Sequence, residues 1–161
     1  MTITPRITHS QARIFVGQHL TMSLVNNRTR ELWTRFRPRL SEISNRLGEE
    51  LYNLQVYPLD YYKNFNPAVE YEAYALVEVS HAGKLPADMV SFHLPAGDYA
   101  VFLHKGGPAT ASRTFQFILT EWLPNSEYNL DHRPHFEALG AKYSNTSPDS
   151  EEEIWLPVRR S

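Results

Sequence analysis

The 161-residue sequence has no cysteine, which excludes disulfides, thiolate nucleophiles and Cys-based zinc sites. It has no apolar run near the ~20 residues that cross a bilayer. Its first residues, MTITPRITHSQ, lack the apolar stretch of a secretory signal. An excess of charge of one sign is missing too. The formal net charge of −2 gives no electrostatic footing for direct nucleic-acid binding. A cytoplasmic, soluble protein with no direct nucleic-acid and no membrane partner is the expectation.

What is present suits one ordinary domain over residues 1–161, long enough to bury a core. Hydrophobic residues at 42% against 21% charged argue against disorder. Aromatic residues reach 12%, with 9 Tyr, 8 Phe and 3 Trp. Such rings either fill a core or line a site for a flat ligand.

The pattern of elements repeats. Arg13 to Leu24 is β-branched and aromatic without a helical stripe, and reads as a strand. Leu32, Trp33, Phe36, Leu40, Ile43 and Leu47 recur at helical spacing, so a helix is expected from Asn27 to Leu47, with Pro38 kinking it. Strands follow at Leu51 to Tyr57 and Tyr71 to Val79, around the loop PLDYYKNFNPAVE. After the break HAGKLPAD come strands at Met89 to Leu94 and Tyr99 to Lys105, and a helix from Ser112 to Leu123. The last two strands are His135 to Tyr143 and Glu152 to Val158. Leu32, Phe36, Leu40, Phe115, Ile118 and Leu119 are the expected buried stripe. The order strand, helix, strand, strand thus occurs twice, about 1–80 and about 88–161. Too little helix is present to cover both faces of a parallel sheet. The expected fold is α+β, an antiparallel sheet with both helices on one face and an open, curved groove on the other.

Three motifs carry a family resemblance: LPAGDYAVFLHKG from Leu94, EWLPNSEYNLDHRPHFE from Glu121, and EEEIWLP from Glu151. With LWTRFRPR at Leu32 to Arg39, they make the chain resemble the GyrI-like small-molecule-binding domains over nearly its whole length. Such domains are effector domains of multidrug-responsive and AraC-type regulators, and also free-standing proteins. The resemblance implies two pseudo-twofold modules with a ligand groove between them. It implies a flat, apolar or cationic small-molecule ligand and a role in xenobiotic or toxin protection. Some family members are hydrolases that open cyclopropane-bearing DNA-alkylating compounds. The family's name points to gyrase as a further partner, for which nothing in the charge balance speaks. With the first strand so near Met1, no helix-turn-helix is expected before it.

Glu137 is the leading candidate. Read alone it is either an exposed sheet residue or an inward carboxylate in need of a partner. The resemblance places the acidic residue of RPxFE in the groove, where it meets cationic ligands or helps water attack a strained ring. Trp155 is either a solvent-exposed ring or a groove wall. Trp122 fits the core stripe of helix two or the ligand site, and Tyr128 lies in the loop after Pro124. Tyr71 and Tyr74 fall on opposite faces of one strand, so only one can enter the groove. Phe65 is a candidate lid, and Trp33 a candidate groove edge. No metal and no cofactor is expected. Pro134 sets His132 and His135 in an extended turn that disfavours shared coordination, and HKGG lacks the rest of a phosphate loop.

Overall fold

In the computed structural model, which describes residues 3–161, the β-branched and aromatic runs form nine strands and the two stripes form helices. The strands are β1 (Arg6–Ser10), β2 (Arg13–Met22), β3 (Leu51–Val56), β4 (Tyr71–Val79), β5 (Val90–Leu94), β6 (Gly97–Lys105), β7 (Tyr128–Leu130), β8 (His135–Leu139) and β9 (Glu151–Arg160). Helix α1 (Thr29–Phe36) follows β2, and α2 (Pro108–Phe117) follows β6. All the strand pairs are antiparallel, in the order β1-β6-β9-β8-β3-β4-β2-β5, with β7 against the end of β9. The α+β class and the curved antiparallel sheet are as the sequence predicts.

The strand register displays the internal symmetry. The step that takes Asn53 to Glu137 also takes Ser10 to Leu94 and Arg13 to Gly97, the residues that bound the two short arm turns. The arms are exchanged: β1 precedes β2 but pairs with β6, and β5 precedes β6 but pairs with β2. The modules meet where β3 pairs with β8, and Asn53 lies directly opposite Glu137 there. That pair therefore sits on the pseudo-twofold axis.

Helix boundaries differ from the periodicity. The expected helix from Asn27 to Leu47 ends as α-helix at Phe36, and Arg37–Glu42 continues as a 3₁₀ turn. Pro38 has no N–H to give an α-helical bond, so the chain tightens there instead of kinking. Helix α2 begins before Ser112 and passes into a π-helical segment, Ile118–Trp122. Strands β1 and β7 were not anticipated. The first is polar in sequence, and the second is three residues in what reads as a loop.

The core divides by sheet face. On the helix side, Leu32 and Phe36 pack over Ala73, Ala75 and Val77, and Ile118 over Phe102, Ile154 and Leu156. On the other side, Phe15, Tyr52, Leu76, Tyr99 and Phe136 pack against one another. Leu40, Phe115 and Leu119 of the expected stripe are only half-buried.

Candidate functional site

Strand β8 is covered on both sides, so its register decides what faces where. His135, Glu137 and Leu139 share one face, and Phe136 and Ala138 the other. Glu137 is paired directly with Ile154, and directly paired residues point the same way. Ile154 lies beneath α2's extension, so Glu137 faces the helices.

There it opens into a cavity of about 540 Å³. Asn53, Gln55 and Glu137 form the floor, and α2 with the π-helical segment after it supplies Phe115, Gln116 and Leu119 as one wall. The loop after β3 closes the end with Tyr57, Tyr61, Tyr62 and Phe65, beside Tyr71 of β4. The groove expected on the face opposite the helices is thus corrected, because this cavity lies under them. On the opposite face the residues behind Glu137 pack against one another. Trp155 stacks on Phe136 at 5.0 Å and meets Tyr99 edge-on at 5.5 Å. The Arg13 guanidinium lies 5.1 Å from the Phe15 and Tyr52 rings and is held by Glu78 at 2.9 Å.

The candidate residues separate accordingly. Glu137, Tyr71 and Phe65 line the cavity. Trp33 does not, but its Nε1 donates to Asn53 Oδ1 at 3.2 Å. Trp155 and Tyr74 lie on the far face, Tyr74 against His19 and Phe92. Trp122 is edge-on to Phe102 and stacked with Tyr128, so these two belong to the packing of the second module and leave the cavity. Tyr57, Tyr61, Tyr62, Asn53 and Gln55 were missed. A signal existed in each case. Two tyrosines and a phenylalanine in a polar loop are unusual, and Asn53 and Gln55 alternate on one face of an otherwise apolar strand.

The electrostatics of the floor are set by burial. Removal from water pushes the Glu137 carboxyl up to about 8, and the carboxylate of Glu152 pushes the same way. Two amides pull it partly back: Gln55 Nε2 donates to Oε2 at 3.1 Å, and the Asn53 side chain also bonds it. Among the described residues, no lysine or arginine lines this cavity. Burial likewise raises Tyr62 and Tyr71 to about 12, so their phenols remain neutral donors. A carboxyl between two amides, walled by rings and lacking a counter-ion, can accept N–H bonds from a ligand or take up a cation.

A family model described as GyrI-like small molecule binding domain matches residues 3–159. The transcriptional regulator BrlR of Pseudomonas aeruginosa is 28% identical over 155 residues, 95% of this chain and 54% of its own. The chain thus spans about half the length of that relative. Among solved structures, SAV2435 bound to tetraphenylphosphonium has a TM-score of 0.73 at 18% identity, covering 99% of this chain and 94% of that one. A hydrolase from Listeria innocua has a TM-score of 0.56 at 11% identity, covering 97% and 92%. At these identities the structural likeness speaks for the fold.

Proposed function

The chain belongs to the GyrI-like small molecule binding domain family, and on that premise we propose that it binds flat aromatic ligands with a cationic or N–H-donating edge, in protection against xenobiotics or toxins. One observation carries this reading. The Glu137 carboxyl opens into a ring-walled cavity, bonded by two amides and faced by no basic lining residue. A lipophilic cation would supply the missing partner while the rings of Tyr61, Tyr62 and Phe115 cover its faces.

The reading makes a pH-dependent prediction. A cation favours the ionised carboxyl. With the free site titrating at about 8, roughly nine in ten sites are protonated at neutral pH. Binding therefore expels a proton. Affinity for tetraphenylphosphonium should rise about tenfold per pH step between 6 and 7 and level off above about 8. Calorimetry in buffers of different ionisation enthalpy reads both the affinity and the proton. Glu137→Gln should bind more weakly at pH 8 and show no slope. A flat wild-type profile, or a variant that matches it, refutes the proposal.

A hydrolytic reading rests on the same carboxyl. Raised to about 8, it is a stronger base than an ordinary glutamate once ionised, and it stands where a water and a strained ring could both fit. Turnover of a cyclopropane-bearing alkylating compound, followed by mass spectrometry, should then increase with pH up to about 8. Glu137→Gln should reduce it by roughly 10²–10⁴. Recovery of unchanged compound in a stable complex identifies a binder.

A further inference from the structure

Two residues before Glu137, on the same face of β8, His135 lines a second cavity of about 220 Å³. Tyr57, Tyr61 and Tyr62 line both cavities and form the partition between them. His135 is 8% exposed. Its ring meets Tyr57 edge-on at 5.0 Å and tilts toward Tyr62 at 5.9 Å. The imidazole has no side-chain hydrogen-bond partner among the described residues, and burial keeps it neutral. Beside it in the same wall, the buried hydroxyl of Tyr61 also lacks a partner. Buried polar groups are almost always bonded, so an unbonded one at a cavity wall marks a place for a ligand atom.

The two cavities have opposite polarity. Glu137 sits in the field of Glu152. His135 sits in the field of Arg133 and His132. Arg159 and Lys63 also line the second cavity, against Asp60 and Asp131. Asp131 holds Arg133 at 2.6 Å and Arg159 at 3.5 Å, and Asp60 holds Lys63 at 3.4 Å. Three cations thus face two carboxylates, and the neutral imidazole offers its N–H inside that positive surplus.

We propose that the second cavity is a subsite for a carboxylate substituent of a ligand whose ring system lies against Glu137. This rests on the reading of the Glu137 cavity given above. The ligand class is then a dipolar aromatic, amino at one edge and carboxylate at the other. Alternate residues on a strand set the two groups about 7 Å apart. The partition can open, because Tyr62 belongs to a loop and not to the sheet. Its hydroxyl faces that of Tyr57. An entering carboxylate accepts one bond from each phenol and one from His135.

The test compares 9-aminoacridine with 9-aminoacridine-4-carboxylic acid by fluorescence titration. Wild-type protein should bind the carboxylic acid about tenfold more tightly, the value of one charge-assisted hydrogen bond. His135→Phe keeps the ring packing and should abolish that preference. Arg159→Glu, on a side chain that is 59% exposed and tolerant of change, should reduce it several-fold (an effect on the order of one lost charge pair). Both variants should bind 9-aminoacridine itself within about threefold of wild type. If His135→Phe does not fold, Arg159→Glu carries the test alone. Equal or weaker binding of the carboxylic acid by wild type overturns the subsite, as does a preference that survives in the folded variants. If 9-aminoacridine binds in a Glu137-dependent way and only the preference is missing, the subsite alone fails. If neither compound binds, the reading of the Glu137 cavity fails and takes the subsite with it.

Discussion

Asn53 has one acceptor and two donors on its side chain, and Trp33 decides which of them meets Glu137. The indole N–H of Trp33 takes Asn53 Oδ1 at 3.2 Å, which turns the amide N–H₂ toward the carboxyl. Trp33, a sequence candidate for ligand contact, acts on the site through a second residue. The residue lies on α1, packed edge-on against Phe36 at 5.9 Å, so the helix fixes the indole and the indole fixes the amide. Trp33→Phe preserves the ring and removes the N–H. Asn53 can then flip and point its oxygen at Glu137, which disfavours the ionised carboxyl. Affinity for tetraphenylphosphonium should fall about fivefold, one net hydrogen bond, with the melting temperature nearly unchanged. Asn53→Asp should hinder ionisation more strongly, because it sets a second carboxylate on the axis. If Trp33→Phe leaves affinity as it was, the amide is held by something else.

At the scale of elements, α2 has two jobs divided by side-chain direction. Ile118, just past its end, is fully buried against Phe102 and Ile154. Phe115 and Leu119 are half-buried and line the cavity. Ile118→Ala should therefore cost about 2–5 kcal/mol of stability. Phe115→Ala should cost far less, about 1 kcal/mol or below, and should weaken ligand binding about tenfold through lost ring contact. Urea melts and titrations on both variants check the division, and a large stability loss for Phe115→Ala would contradict it. The sequence showed the stripe but not this split, because periodicity marks apolar positions and says nothing about whether the far side is packed or empty. Strand β4 was legible to the residue since its ends are marked by polar loops. Strand β8 was not, since both of its faces are covered and its alternation does not say which of them turns toward the helices. That ambiguity placed Glu137 with Trp155, although Glu137 pairs with Ile154 and so shares the helix side. Only long-range pairing resolves such a strand. The tyrosine loop is legible as a loop, but its role depends on folding back over the floor, which local sequence does not encode.

Across the whole molecule, two buried groups of opposite kind on one strand shape the pH dependence of stability. Glu137 titrates near 4.5 when unfolded and about 8 when folded. The folded state holds more protons between those values, so stability falls as pH rises through that window and is level above it. His135 is pulled from 6.5 down to about 3, first by burial and then by Arg133 and His132. Here the unfolded state holds more protons, so stability falls as pH drops below about 6.5. Between about 4.5 and 6.5 the two slopes oppose each other, and the pair should leave a plateau there. Above pH 6.5 the Glu137 slope acts alone, and the melting temperature should drop by roughly 4–8 °C toward pH 8.5 for a loss of about 2 kcal/mol. Thermal melts from pH 4 to 9 on wild type, Glu137→Gln and His135→Phe separate the contributions. Glu137→Gln should remove the alkaline decline and leave the acid one. His135→Phe should soften the acid decline, which other carboxylates share, and leave the alkaline one. A wild-type maximum above pH 8 would show that Glu137 is solvated in the folded protein, and would undo the proton release expected on cation binding along with it.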